Sequence, residues 1–234
     1  MIKLYPASSR YTADHGWLRT SHSFSFADYY DPDNTHFGVL RVLNDDVVRP
    51  GAGFGMHPHR DMEIVSVVLQ GQLLHRDSRG HEETITVGEI QRMSAGTGIL
   101  HSEMNPSESE EVHFLQLWFF PERKGLEPSY ERIAYPTDKM NNALLPVVSQ
   151  RLRGHHIARI HQDVTLYLSN LEAGAKIAFS QEKGRRIFVF VIEGELLLNG
   201  EYGLERRDSA RIIGVPDLTL SSDRGARFML IDLP

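Results

Sequence analysis

Residues 51–71 read GAGFGMHPHRDMEIVSVVLQG. His57 and His59 are separated only by Pro58, and in an extended chain residues i and i+2 point to the same face, so both imidazoles share one side of a strand. Pro58 biases His57 toward extended backbone and, lacking an N–H, belongs at a sheet edge, a bulge or a strand end. Downstream, Ile64 to Leu69 is a run apolar at every position but Ser66 that closes at Gln70-Gly71, the pattern of a buried strand entering a turn.

The close of this stretch returns later in the chain. Val68-Leu-Gln-Gly71-Gln-Leu-Leu74 and Val191-Ile-Glu-Gly194-Glu-Leu-Leu197 are nearly one phrase, and Gly51 precedes Gly71 by 20 residues as Gly174 precedes Gly194. The repeat predicts two halves of one fold. Around it lie further short strand-like runs: Phe37 to Leu43, Thr84 to Val87, Glu89 to Met93 and Val112 to Phe120 in the first half. Thr165 to Leu168, Lys176 to Phe179, Ile187 to Ile192, Glu195 to Leu198, Leu218 to Leu220 and Ala226 to Ile231 follow in the second. Asn199-Gly200 is a two-residue hairpin signal. Many short strands at this spacing imply an all-β chain, a sandwich or barrel. Between the halves, residues 120–136, FPERKGLEPSYERIAYP, are punctuated by Pro121, Gly125, Pro128 and Pro136 and read as a linker without a long strand or helix.

At 234 residues the chain makes one large or two small domains, and 41% hydrophobic with 24% charged residues is an ordinary globular composition. A net charge of −6 argues against a surface built to bind phosphates, so no direct nucleic-acid partner is expected. The N-terminal MIKLYPASSR has no signal-like apolar run, and Ile187 to Ile192 is too short to span a bilayer; no membrane association and a cytoplasmic location are expected. With 0 cysteines, thiolate metal sites and Cys nucleophiles are excluded, leaving imidazole and carboxylate as ligands, and 12 histidines supply the imidazoles.

Chemistry concentrates at His57-Pro58-His59 and His101-Ser102-Glu103. Each trio places two ligand types on one strand face, and two such strands side by side give four donors. No Gly-x-Ser-x-Gly elbow is present, which removes the usual hydrolase reading. Ala95-Gly96-Thr97-Gly98 lacks the Lys and helix start of a phosphate loop and reads as a tight turn before the ligand strand.

The frame Gly51-x5-His57-Pro-His59-x3-Glu63-x7-Gly71, followed by Gly88, Gly96, His101 and Asn105, resembles the two cupin motifs. The phrases HGWL (15–18), HSFSFADYYDP (22–32), HPHRDMEIVSVVLQG (57–71) and MSAGTGILHSEMNP (93–106) resemble the pirin family of bicupins, which includes bacterial quercetinases. The resemblance implies two cupin barrels of the double-stranded β-helix, or jelly-roll, type. The linker assigns residues 1–130 to a metal-binding N-terminal cupin domain and 131–234 to a C-terminal cupin domain without metal ligands.

Carried onto this chain, the pirin pattern makes His57, His59, His101 and Glu103 the ligands of one divalent metal. Fe(II) is the first expectation, with Cu, Ni, Mn and Zn also compatible with this donor set. Glu63 is the rival carboxylate, since the general first cupin motif places its ligand there; otherwise it orients a histidine or pairs with an arginine. His22, Phe24, Phe26, Phe54 and Met56 are the expected pocket walls or ligand-supporting residues. The resemblance further implies a dioxygenase that cleaves flavonols such as quercetin with O2 and releases carbon monoxide, Glu103 serving also as a base. A metal-dependent regulator or redox sensor with a protein partner, or another small-metabolite cupin enzyme, is the alternative.

Overall fold

The computed structural model describes residues 1–234, and its regular elements are antiparallel strands apart from short 3-10 turns at Ala7–Ser9 and Thr137–Met140. No helix is long and apolar enough to cross a membrane. β1 (Ile2–Tyr5), β2 (Tyr11–Asp14), β3 (Leu18–His22), β4 (Leu40–Val48), β5 (Gly53–His59) and β6 (Glu63–Gln70) lead the chain. β7 (Gln72–Asp77), β8 (Glu82–Thr86), β9 (Glu89–Ser94), β10 (Ile99–Met104), β11 (Val112–Phe119) and β12 (Ser129–Ala134) follow. β13 (Leu145–Ser149), β14 (Ala158–Arg159), β15 (Thr165–Leu171), β16 (Lys176–Ser180) and β17 (Arg186–Gly194) come next. β18 (Leu196–Leu198), β19 (Tyr202–Leu204), β20 (Ser209–Ile213), β21 (Asp217–Ser221) and β22 (Ala226–Leu233) complete it.

Contacts divide the chain into two units, Tyr11–Tyr135 with Ala158–Gln162, and Met1–Arg10 with Pro136–Ile157 and Asp163–Pro234. In the first, a large sheet runs in the order β12-β9-β6-β11-β4-β3-β2 and a smaller one in the order β5-β10-β7-β8. Their inner faces meet on Val68, Leu73, Ile85, Val112 and Phe114, and at the other end on Ile64, Met93, Ala95 and Ile99. Full burial of each large apolar side chain stabilises by roughly 1.5–3 kcal/mol.

The second unit repeats this plan. Its large sheet contains β1-β20-β17-β22-β15-β13 and its small sheet β16-β21-β18-β19, around a core that includes Ile187, Val189, Val191, Leu220, Phe228 and Leu230. Strand for strand, β9, β6, β11 and β4 correspond to β20, β17, β22 and β15. The recurring glycine of the repeated phrase has a steric cause. Gly71 has φ +74° and a Cβ there would stand 2.6 Å from the Glu111 carbonyl oxygen; Gly194 has φ +80° and its Cβ would meet the Gly225 carbonyl oxygen at 2.1 Å. In each barrel the chain leaves the large sheet for the small one by passing directly over another backbone, which only glycine permits.

The units depart from the expected division at residue 130. That boundary cuts β12, which pairs with β9 from Ser129↔Ser94 to Ala134↔Glu89, so the proline-punctuated stretch carries an edge strand. Residues 1–10 belong to the second unit, because β1 pairs with β20 from Ile2↔Ile212 to Tyr5↔Ser209. Residues 158–162 belong to the first, where Glu122 N–H donates to the His161 carbonyl and the Gln162 amide donates to the Phe120 carbonyl, both at 2.7 Å. Pairing between segments so distant in sequence leaves no local compositional mark. The strand expected at Phe37 to Leu43 instead runs from Leu40 to Val48, through Asn44 and Asp46, which are depleted in strands yet buried here.

Candidate metal centre

β10 lies between β5 and β7 in the small sheet. On the β5 side His101 stands opposite His57 and Ile99 opposite His59. The register then slips, so that Glu103 faces Phe54: β5 holds one extra residue around Gly55-Met56. That bulge turns the Gly55 carbonyl toward the ring of His57, which donates to it from Nδ1 at 2.7 Å. Since a carbonyl only accepts, the singly protonated ring of His57 carries its lone pair on Nε2.

The donor atoms of His57, His59 and His101 lie within 4.8 Å of one another, and the three ring centroids are separated by 4.8, 4.5 and 4.8 Å. Burial, followed by the proximity of the neighbouring histidines, lowers His59 and His101 to about 3. Both are therefore neutral imidazoles near pH 7, the form a metal binds. His101 is completely buried, and its Nε2 has no hydrogen-bond partner. An orphaned lone pair among neutral imidazoles suits a cation, so these residues fit a divalent metal.

Glu103, two residues along β10 and only 2% exposed, lies outside that three-histidine group. Its Oε1 accepts from Gln91 Nε2 at 3.0 Å and from Ser66 Oγ at 3.4 Å, while Oε2 accepts from Gln116 Nε2 at 2.5 Å. The Gln116 carbonyl oxygen in turn accepts from Trp118 Nε1 at 3.2 Å, which settles the amide's orientation. Trp118 stands edge-on to His59 with centroids 4.8 Å apart, and Phe26 packs edge-on against Trp118 at 5.2 Å. These donors come from one level of the large sheet, because His22, Asn44, Gln116, Ser66 and Gln91 are paired neighbours across β3, β4, β11, β6 and β9. A groove of about 490 Å³ opens beside His59, lined also by Pro58, Arg60, Ser78, Gly98, Ile99 and Leu100.

The other expected site residues are dispersed. Glu63 is buried with Oε2 accepting from Ser94 Oγ at 2.9 Å and from the His161 N–H at 3.1 Å, so it holds residues 158–162 to the barrel. Burial raises its carboxyl above the ordinary value. His22 packs edge-on to Phe26 at 5.2 Å, and burial, with the nearby His15, lowers it to about 4. Phe24 is fully buried; Phe54 contacts Trp17 within the apolar cluster of Val68 and Leu73. Met56 projects outward, 57% exposed, because adjacent residues of a strand face opposite ways and His57 takes the site face. Sequence reading missed Ser66, Asp77, Gln91, Gln116 and Trp118, and took His75, which is buried and bonded to Asp77, as an ordinary sheet residue, exposed or hydrogen-bonded. For His75-Arg76-Asp77 the same i, i+2 rule that singled out His57 and His59 was available.

In the second barrel the position 14 residues before the repeated glycine, that of His57, is held by Ser180, which donates from Oγ to Asp217 Oδ1 at 2.8 Å.

Residues 5–119 match the Pirin family model, and 147–233 match the model described as the quercetinase C-terminal cupin domain. A quercetin 2,3-dioxygenase of Escherichia coli is 41% identical over 100% of this chain and 99% of its own length. The chain belongs to the pirin family. A putative quercetin 2,3-dioxygenase of Mycobacterium tuberculosis is 39% identical, matching 99% of this pirin and 95% of that protein. The crystal structure of YhhW from Escherichia coli superposes with a TM-score of 0.95 at 40% identity, covering 100% of this chain and 98% of that one. A second structure, bacterial pirin YhhW in complex with nickel(II), gives 0.94 at 40% identity over 100% and 99%. The pirin fold of two cupin barrels expected from the sequence is thereby shown.

Proposed function

We propose that this pirin is a metal-dependent dioxygenase that cleaves flavonols such as quercetin with O2 and releases carbon monoxide. The observation that carries this reading is the meeting of three imidazoles with a buried carboxylate whose rotamer two amides fix, beside an aromatic wall. His57, His59 and His101 would hold the metal, with Glu103 as the neighbouring carboxylate donor and iron(II) as the first expectation. Once bound, the metal supplies Lewis-acid polarisation of the substrate's 3-hydroxyl and 4-carbonyl oxygens.

The rest of the work falls to this chain's side chains. Glu103 takes the proton of the 3-hydroxyl. Gln91 and Gln116 hold its carboxylate in one orientation before substrate arrives, so no ordering is required during the reaction. Trp118 and Phe26 present apolar ring edges to a flat aromatic substrate and keep water from the carboxylate. The groove at His59 is the approach. The names of the relatives support the same reading.

Glu103→Gln tests the proton role, because it preserves shape and one oxygen acceptor while removing the base. Turnover should be lost while metal content, measured on the same samples, is retained. An analogue of quercetin lacking the 3-hydroxyl should be a poor substrate of the unaltered protein. Equal turnover in Glu103→Gln discards the base assignment, and equal oxygen uptake with the analogue discards the flavonol reading.

A further inference from the structure

On the side of β10 away from β5, β7 brings Asp77 opposite His101 and His75 opposite Glu103. His75 and Asp77 are both buried, with no solvent access to either side chain. His75 Nε2 lies 3.0 Å from Asp77 Oδ2, and His75 Nδ1 lies 3.5 Å from Nδ1 of His101. Tyr130, from β12, stacks on His75 at 4.3 Å and 18° and on His81 at 5.1 Å and 29°. His81 Nδ1 reaches Asp77 Oδ2 at 2.9 Å, and the backbone N–H groups of Arg79 and His81 donate to Oδ1 at 2.9 and 3.1 Å.

The proton positions follow from what each atom can do. Burial opposes the charge on Asp77, yet the His75 ring, the His81 and Arg79 N–H groups and the His81 ring together hold its carboxyl below the ordinary value. A carboxylate only accepts, so His75 donates from Nε2, and in the singly protonated ring Nδ1 is left as a lone pair. That lone pair faces His101, whose Nδ1 must be the donor. The remaining nitrogen of His101, Nε2, is then a lone pair turned toward His57 and His59. The opposite arrangement would put an N–H on Nε2, where no acceptor lies, at the cost of an unsatisfied buried donor.

We propose that Asp77 and His75 are positioning residues that act through His101, fixing the tautomer and ring plane whose Nε2 completes the three-histidine site. Tyr130 clamps the His75 ring in plane. The device rests on the metal-site reading but is present before any metal arrives, so it is measurable without one.

The test uses the full chain, stripped of metal by chelation, with nitrogen-15 NMR of the histidine rings and zinc(II) as the binding probe. In the unaltered protein His101 should be protonated at Nδ1. In His75→Leu the Nδ1–H preference should fall and zinc(II) affinity, read by competition with a chromophoric chelator, should drop by about 10–100-fold. His75→Gln, whose amide can accept from His101 and donate to Asp77, should recover most of that loss. Protonation of His101 at Nε2 in the unaltered protein overturns the proposal even if a variant fails to fold. Unchanged zinc(II) affinity and tautomer in folded His75→Leu also overturn it. Weak zinc(II) binding by the unaltered protein with an Nδ1–H tautomer would count against the metal reading alone.

Discussion

Gln116 donates to Glu103 Oε2 at 2.5 Å while its own carbonyl oxygen accepts from Trp118 Nε1 at 3.2 Å, so one buried amide couples the carboxylate of the site to its aromatic wall. Gln116→Leu leaves Glu103 short of a donor and Trp118 without an acceptor. A stability loss of about 1–3 kcal/mol is expected in urea unfolding, because removing one partner of a buried polar pair exposes its desolvation cost. Turnover should fall with it at unchanged metal content. A variant as stable and as active as the parent would show that the coupling has no consequence.

The ligand assignment separates two carboxylates and three imidazoles. His59→Ala and His101→Ala should lose most bound metal while retaining strand content by circular dichroism, since the apolar cores do not include these rings. Glu63→Gln should keep its metal and lower Tm, because Glu63 accepts from Ser94 and from the His161 N–H. Metal analysis paired with thermal melts decides this. Metal retained in the histidine variants and lost in Glu63→Gln would reverse the assignment.

These strands and sites were unequally legible in the sequence. Apolar runs marked β6, β11, β17 and β22, the central strands of both barrels, since their burial is written in their own residues. The i, i+2 rule found His57 with His59 and His101 with Glu103. β4 was mis-bounded because Asn44 and Asp46, strand-averse residues, face the interior in register with Gln116 and Phe114. β12 was hidden by flanking prolines, and with it Tyr130. β1 was unreadable as part of the second barrel, because its partner lies more than 200 residues away, at Ser209–Ile213. The assembly of Glu103's donors was likewise invisible: Ser66, Gln91 and Gln116 converge only through sheet register.

Asp46, buried opposite Thr20 and Phe114, gives the fold a pH dependence. Burial, partly offset by Thr20 and reinforced by the charges of Asp45 and Glu103, pushes its carboxyl from 3.8 up to about 7. The folded chain thus holds this proton more tightly than the unfolded chain. The resulting stability is complete below the unfolded value and is lost as pH rises through the folded one. Relative to Asp46→Asn, the metal-free parent should lose up to about 1.4 kcal/mol per pH unit within that window. Urea unfolding of both proteins at about pH 5 and about pH 7 reads the difference; a gap that does not change would place Asp46 as ionised throughout.

The crossing glycines are testable against an open one. Gly51 has φ +68° with nothing within 4 Å of a Cβ, whereas a Cβ at Gly71 would stand 2.6 Å from the Glu111 carbonyl oxygen. Gly51→Ala should cost about 1–2 kcal/mol for the left-handed backbone alone. Gly71→Ala should cost at least about 1–3 kcal/mol more, from the added steric overlap. Gly194→Ala should behave as Gly71→Ala does. Equal losses for Gly51→Ala and Gly71→Ala would remove the close approach as the reason for the repeated phrase.

The central claim, a dioxygenase built on His57, His59, His101 and Glu103, is tested most directly by oxygen and carbon monoxide measured together. The full chain, reconstituted anaerobically with iron(II), is mixed with quercetin in a sealed cell before oxygen is admitted. Oxygen consumed and carbon monoxide released should rise together in a ratio of about one, and both should vanish in His59→Ala. Absence of quercetin-dependent oxygen uptake with each of iron, copper, nickel and manganese, in protein shown to carry the metal, would contradict the account.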